Sequence, residues 1–126
     1  MTPATPITVL VVDDHAHARE VISRLLEAEG YRVATASNGA EAIERLESSG
    51  EIGAVVTDVS MPDMTGVELA YYVRDHYPTL PIAIVSGDIG ELERSVIARE
   101  GVPFLKKPVH AEALYAAIRE AIGAKS

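Results

Sequence analysis

The chain has 126 residues, no cysteine and a formal net charge of −8, and 48% of its residues are hydrophobic. This length suits a single domain, the hydrophobic content argues against disorder, and the missing cysteines exclude disulfides and thiolate metal sites. The negative charge disfavours direct binding to nucleic acid or an anionic membrane, and no apolar run approaches the length of a membrane span. The opening stretch lacks the basic and apolar segments of a signal peptide, so we expect a soluble cytoplasmic domain.

The first half of the chain alternates between strand-like and helical patterns. Residues 1–6 are small or contain proline and are expected to form a flexible tail. Residues 7–12 are an apolar, β-branched run, which is typical of a strand covered on both faces. A helical spacing of apolar residues follows and ends at Gly30. Residues 31–36 predict a second strand, and residues 43–46 mark a shorter second helix.

The second half repeats this alternation of strands and helices. Its predicted elements are, in order, a strand at 54–57, a helix ending at His76, a strand at 81–85, a weakly amphipathic helix at 90–100, a strand at 102–105 and a final helix at 113–122. Strands that alternate with helices predict a three-layer α/β domain with a doubly wound, five-stranded parallel sheet and right-handed crossovers. We expect this domain to span residues 7–123, with residues 124–126 as a short tail.

Polar side chains follow four of the predicted strands. Asp13 and Asp14 follow the first strand, Asp58 the third, Ser86 the fourth and Lys107 the fifth. The carboxyl ends of parallel strands lie at one edge of the sheet, where open α/β sheets bind their ligands. The topology therefore predicts that three carboxylates, a hydroxyl and an ammonium group meet in one crevice.

These groups predict a magnesium site that handles phosphate. Three ionised carboxylates need a cation beside them because like charges repel, and an oxygen-only ligand set fits Mg²⁺, which often shares its shell with phosphate. Lys107 supplies a positive charge and Ser86 a hydroxyl donor for a phosphoryl group. A carboxylate such as Asp58 can itself be the nucleophile and form an aspartyl-phosphate. The backbone N–H groups expected to complete the phosphate cradle are those of Val59, Ser60 and Gly87.

Together these positions resemble the receiver domain of two-component response regulators, in particular the single-domain chemotaxis regulators. The residues that carry the resemblance are Asp13-Asp14, Asp58 followed by Met61-Pro62 and Gly66, Ser86-Gly87 and Lys107-Pro108. The resemblance covers almost the whole predicted domain. It implies the flavodoxin-like receiver fold with strand order 2-1-3-4-5.

The resemblance also implies a function. Asp58 would accept a phosphoryl group from the phosphohistidine of a histidine kinase or phosphotransfer protein. The domain would not be a conventional enzyme, although it would catalyse its own phosphorylation and slow dephosphorylation. Asp14 and Asp58 would bind Mg²⁺ directly, Asp13 through water, and Ser60 through its backbone carbonyl, with Mn²⁺ as a substitute.

The switch residues implied by the resemblance are Ser86 and Phe104. Ser86 and Lys107 would bind the phosphoryl oxygens, and Phe104 would turn inward on activation; its alternative interpretation is an ordinary core aromatic residue. This movement would alter the surface formed by the fourth helix, the fifth strand and the final helix, where a protein partner would bind. The downstream target stays open, as does the choice between a monomer and a phosphorylation-dependent dimer. The resemblance further implies a cis peptide bond before Pro108.

Other functions fit less well. An Asp-nucleophile hydrolase of the haloacid dehalogenase kind would need a second aspartate where Ser60 stands, and a cap domain. A flavodoxin-like cofactor binder would need a phosphate-cradling loop where Asp13 and Asp14 would repel phosphate. A receiver that never takes phosphate is disfavoured because all the active-site positions are suitably filled. The output stays open between a free-standing receiver, a phosphorelay component and part of a longer chain.

The remaining polar residues receive local interpretations. Asp63 is assigned to turn chemistry rather than to metal binding. Ser60 and Asp88 lie two residues after Asp58 and Ser86, and we hypothesise that they tune phosphate hydrolysis. Dephosphorylation rates of Ser60→Lys and Asp88→Ala proteins test this hypothesis, which unchanged rates in both would refute. Surface positions are predicted for all histidines, with the crevice mouth as an alternative for the first: His15, His17, His76 and His110.

Overall fold

The computed structural model describes residues 7–49, 51–87, 97–99 and 101–125. The strands are β1 (Thr8–Val12), β2 (Arg32–Ala36), β3 (Ile52–Asp58), β4 (Ile82–Ser86) and β5 (Phe104–Lys106), and the helices are α1 (Ala16–Ala28), α2 (Gly39–Ser49), α3 (Gly66–His76) and the C-terminal helix (Ala111–Lys125). The strands form one parallel sheet in the order β2-β1-β3-β4-β5. This confirms the predicted strand order.

Alternate side chains of β1 divide the core between the two faces of the sheet. Val9 and Val11 pack with apolar residues of α1 and the C-terminal helix. Leu10 and Val12 pack on the opposite face with apolar residues of α2 and α3. Successive strand residues point to opposite faces, so a run that is apolar throughout is buried on both sides. The predicted three-layer, flavodoxin-like architecture is confirmed.

Local hydrogen bonds fix the helix ends near the sheet. At the start of α3, the Glu68 amide donates to the Thr65 hydroxyl at 3.1 Å and the Thr65 amide donates to the Glu68 carboxylate at 3.0 Å, forming a capping box. The Glu41 amide donates to the side-chain oxygen of Asn38 at 2.8 Å, which caps α2. After α1, Gly30 has a φ of 99°, a left-handed conformation that favours glycine.

Several element boundaries differ from the predictions. The second helix begins at Gly39, before the residues 43–46 that mark it in the sequence, because capping groups satisfy the amides there. The fifth strand starts at Phe104 rather than at residue 102, since Pro103 has no N–H with which to join the ladder. The C-terminal helix continues to Lys125, into the range predicted as a tail.

Three predictions fall on parts of the chain outside the described residues. These are the tail at 1–6, the position of Asp88 and most of the helix at 90–100, of which residues 97–99 are described and are helical. Across the described ranges, no helix is both long and apolar enough to cross a membrane.

Candidate functional site

The carboxyl edge of the sheet brings the predicted side chains together. Asp13 directly follows β1, Asp58 is the last residue of β3 and Ser86 is the last residue of β4. All three are buried, with exposed fractions of 1%, 4% and 2%. The Ser86 carbonyl accepts a hydrogen bond from the Lys107 amide at 2.9 Å, which fixes the start of the loop after β5 against β4. The ends of β1, β3, β4 and β5 therefore lie along one edge of the sheet, as the topology predicts.

Lys107 joins the two buried carboxylates. Its Nζ donates to Asp13 Oδ2 at 2.7 Å and to Asp58 Oδ2 at 3.4 Å. Burial lowers the pKa of Lys107, but the hydrogen bond and charge of Asp13, together with the charge of Asp58, outweigh that effect. The pKa of Lys107 therefore lies above its ordinary value, and this side chain is a cation at neutral pH.

Asp14 and His15 lie at the mouth of the crevice. His15 Nδ1 is 3.1 Å from Asp14 Oδ1 and 3.5 Å from Asp13 Oδ1. The His15 side chain is 71% exposed, so the surface prediction and the alternative at the crevice mouth are both correct. One carboxylate oxygen from each of Asp13, Asp14 and Asp58 and one ring nitrogen of His15 all lie within 4.8 Å of one another.

This donor set fits a hard divalent cation. The three aspartates carry three negative charges when ionised, and Lys107 supplies one positive charge against them. The difference is the charge of a divalent ion, and carboxylate oxygens are the ligands that Mg²⁺ prefers. The acidic and histidine side chains of the described residues that could hold such an ion are those of Asp13, Asp14, Asp58 and, at the mouth, His15.

The loop between β3 and α3 is tied to α2 by Asp63. One carboxylate oxygen of Asp63 accepts from the Gly39 amide at 3.0 Å, and the other accepts from the Ala40 amide at 2.7 Å. Desolvation raises the pKa of Asp63, but these backbone hydrogen bonds more than offset it, so the pKa lies below its ordinary value. The assignment of Asp63 to turn chemistry was incomplete, because its carboxylate also caps a helix 24 positions away in the chain.

The comparisons with known proteins agree with this geometry. The family described as "Response regulator receiver domain" matches residues 9–119. The chain belongs to the response regulator receiver domain family. Receiver domains of two-component systems are signalling domains rather than conventional enzymes.

Relatives of this receiver domain include short and long proteins. Two-component response regulator ORR3 of Oryza sativa subsp. indica is 36% identical over 104 residues, which are 80% of this chain and 79% of ORR3. Transcriptional regulatory protein GlrR of Escherichia coli K12 is 34% identical over 119 residues, which are 93% of this chain but 26% of GlrR. The chain thus spans between 26% and 49% of GlrR and the next three curated relatives.

Solved receiver domains share the whole architecture. A receiver domain protein from Clostridium thermocellum superposes with a TM-score of 0.83 at 34% identity, covering 94% of this chain and 96% of that chain. The beryllofluoride-activated NtrC4 receiver domain dimer superposes with a TM-score of 0.84 at 29% identity, covering 94% of this chain and 98% of that chain.

Phe104 occupies the edge strand of the receiver domain. It pairs in register with Ile84 and is half-buried against Val59, Ile84 and Ile97. This placement is compatible with both interpretations of Phe104, a core aromatic residue and a switch. Val59 is buried, whereas the proposed cradle residues Ser60 and Gly87 are exposed at the crevice opening. The expected cis bond between Lys107 and Pro108 is present.

Sequence analysis missed two residues that support the receiver site. Arg19 Nη1 on α1 donates to the Asp13 carbonyl at 2.7 Å, which holds the chain just after β1. The Thr57 hydroxyl, fully buried in β3, donates to the Asp58 carbonyl at 2.9 Å. The available signals were the position of Arg19 in the helix after an acidic turn and the position of Thr57 as a lone polar residue in an apolar strand. Neither signal identifies its partner without the three-dimensional structure.

Proposed function

We propose that this receiver domain accepts a phosphoryl group on Asp58 from the phosphohistidine of a histidine kinase or phosphotransfer protein. The observation that carries the proposal is the position of Asp58, buried at the end of β3, with Lys107 Nζ 3.4 Å from Oδ2. An ordinary ion pair of a lysine needs only one carboxylate. Lys107 binds Asp13 as well as Asp58, and the carboxylate of Asp14 lies beside them. Such a concentration of acid at a strand end suits a phosphoacceptor.

In the proposed reaction, an Asp58 carboxylate oxygen attacks the phosphorus atom of the phosphohistidine. The new bond is O–P, the N–P bond breaks, and its electron pair returns to the imidazole nitrogen of the donor. Lys107 offsets negative charge on the phosphoryl oxygens, and the Ser86 hydroxyl donates to one of them. The backbone N–H groups of Val59, Ser60 and Gly87 complete the cradle.

The proposed metal ligands are Asp14 and Asp58 directly, Asp13 through water, and the backbone carbonyl of Ser60. Mg²⁺, or Mn²⁺ in its place, would offset charge on the transferring phosphoryl group. The excess of negative charge over Lys107 supports this assignment. Hydrolysis of the acyl phosphate by water would then reset the domain slowly.

The proposed output is a change at one face of the domain. Ser86 would move toward the phosphoryl group and Phe104 would turn inward, altering the surface of the fourth predicted helix, β5 and the C-terminal helix. A protein partner or a second copy of the domain would bind there. The beryllofluoride-activated NtrC4 receiver domain is a dimer, which supports the dimer alternative for this chain.

The proposed function is tested by phosphorylation with a small phosphodonor and Mg²⁺. Wild-type protein should gain the mass of one phosphoryl group, and Asp58→Asn protein should gain none, because an amide is not nucleophilic at this site. Asp75→Asn, at an exposed position on α3, is the matched control and should be labelled like the wild type. Equal labelling of Asp58→Asn protein would refute the assignment, and so would labelling that is unchanged when EDTA removes the metal.

A further inference from the structure

The backbone of His15 is clamped at the start of α1. The His15 amide donates to Asp13 Oδ1 at 2.9 Å, and the His15 carbonyl accepts from the Arg19 amide at 3.0 Å. His15 is the N-cap residue of α1, yet its side chain makes no capping hydrogen bond. The imidazole is instead directed toward the carboxylates of Asp13 and Asp14.

The spacing of these atoms matches that of neighbouring ligands of one metal ion. Adjacent ligands of an octahedral ion with bonds of about 2.1 Å are about 3.0 Å apart, and His15 Nδ1 lies 3.1 Å from Asp14 Oδ1. Both atoms belong to the set, within 4.8 Å of one another, that includes the buried carboxylates of Asp13 and Asp58. The ring nitrogen of His15 is the one donor among these four side chains that is not an oxygen.

We propose that His15 is a nitrogen ligand that gives this receiver domain a site for late first-row divalent ions such as Ni²⁺, in addition to Mg²⁺. The proposal deepens the proposed function and rests on it, because both ions would use the same aspartates. Imidazole suits Ni²⁺ and Zn²⁺, whereas Mg²⁺ prefers oxygen ligands and gains little from a nitrogen. Nδ1 binds a metal when the ring is neutral and carries its proton on Nε2. The 71% exposure of the His15 side chain lets water solvate that N–H group.

The consequence is a difference in selectivity between two metals that share the carboxylates. Loss of the His15 nitrogen should weaken Ni²⁺ binding far more than Mg²⁺ binding. If His15 acted only through general electrostatics, both divalent ions would respond in the same direction and to a similar degree. The ratio of the two dissociation constants therefore separates ligation from charge.

The experiment is calorimetric titration of unphosphorylated protein with NiCl₂ and separately with MgCl₂. We expect His15→Gln to raise the Ni²⁺ dissociation constant by about tenfold or more, with a much smaller change for Mg²⁺. His17→Gln, which alters an exposed histidine outside the metal-ligand cluster, is the matched control and should bind both ions like the wild type. Asp14→Asn should weaken both ions, and unchanged melting temperatures would show that the variants fold.

The outcomes distinguish this proposal from the proposed function. Equal fold-changes for the two ions in His15→Gln protein, or an unchanged Ni²⁺ affinity, would overturn the role of His15 while leaving Mg²⁺ binding intact. A third outcome is that the wild type binds Ni²⁺ but not Mg²⁺, and that His15→Gln protein loses Ni²⁺ binding. This would support the role of His15 as a ligand and would count against the proposed magnesium dependence. A wild-type protein that binds neither ion would overturn both.

Discussion

The two sides of the crevice are built differently. On one side, β1 lies between β2 and β3, and its residues Val9–Val12 are at most 1% exposed. On the other side, β5 has three residues, pairs with β4 alone among the described strands, and is half-buried or exposed along its length. The central side presents Asp13 and Asp58, and the edge side presents Phe104 and Lys107. The two aspartates, which must keep their geometry, therefore come from the best-packed strands, and Phe104, which is proposed to turn, comes from the least constrained one. Ser86 is the exception, because it is also proposed to move but ends the fully buried β4.

The largest expected effect tests this difference in packing directly. Leu10→Ala, in the fully buried β1, should reduce the free energy of unfolding by about 2–5 kcal/mol, since it leaves a cavity that cannot collapse. Leu105→Ala, in the half-buried β5, should cost about half as much or less, because water and neighbouring side chains can fill the space. Urea unfolding of both variants gives the comparison. Equal losses would show that the two sides are packed alike.

The next effect concerns the contact between α3 and the end of β3. A Cβ on Gly66 would overlap the backbone oxygen of Asp58 and would lie 3.0 Å from the Cα of Val59. Gly66→Ala should therefore cost about 1–3 kcal/mol of stability, because backbone atoms must move to admit the methyl group. It should also slow phosphorylation by displacing Asp58. Gly123→Ala, whose Cβ would meet nothing within 4 Å, is the matched control and should be neutral or slightly stabilising.

A smaller effect, on Mg²⁺ affinity, should appear when the ion pairs between Lys107 and the aspartates on the other side of the crevice are removed. Lys107→Met removes the cation that binds Asp13 and Asp58, so Mg²⁺ should bind about tenfold more tightly, a change of about 1.4 kcal/mol. This is well below the roughly 4 kcal/mol of a unit charge at 4 Å near a protein surface. Lys106→Met, at the neighbouring exposed position, should leave the Mg²⁺ affinity unchanged. Calorimetric titration decides, and weaker binding in Lys107→Met protein would contradict the charge argument.

The smallest expected effect is a loss of stability on the central side of the crevice, where the Asp63 carboxylate caps α2. The lowered pKa of Asp63 means that its stabilisation is present above the ordinary pKa of 3.8 and is lost as pH falls through the folded-state value. Asp63→Asn should thus reduce stability by about 1 kcal/mol or less at neutral pH, and the difference from wild type should vanish in acid. Denaturant unfolding at several pH values measures this. A difference that persists or grows toward acid would show that the carboxylate charge is not responsible.

The sequence predicted what depends on periodicity and topology. The five strands and the meeting of Asp13, Asp58 and Lys107 follow from apolar runs of strand length and from the rule that parallel strand ends share an edge. The strand order was implied by the resemblance to receiver domains. The predicted ends of the strands differ from the observed ends by one or two residues, because hydrophobicity does not mark the last pair of hydrogen-bonded backbone residues. Asp58 and Ser86 therefore end their strands rather than follow them.

The contacts that no local pattern encodes were harder to predict. The Asp63 carboxylate accepts a hydrogen bond from the amide of Gly39, which lies 24 positions earlier in the chain. The Arg19 side chain donates to the carbonyl of Asp13, six positions earlier. Both depend on where loops lie relative to helices after folding. The exposed position of His15 was predicted correctly, but its contacts with Asp13 and Asp14 were not. An exposed histidine beside two aspartates in the sequence is equally consistent with a solvated start of a helix.

The pairing of Lys107 with Asp13 has a thermodynamic consequence. In the unphosphorylated domain, Lys107 Nζ is closer to Asp13 Oδ2, at 2.7 Å, than to Asp58 Oδ2, at 3.4 Å. On the proposed phosphorylation of Asp58, the added negative charge would draw the ammonium group toward the phosphoryl oxygens and would release Asp13 to bind a metal-bound water. Each event would then favour the other, and by reciprocity a bound divalent ion would stabilise the phosphorylated state by the same free energy by which phosphorylation strengthens binding of the ion. Through the shared Asp13, the domain would respond most strongly when the phosphoryl group and the divalent ion are present together.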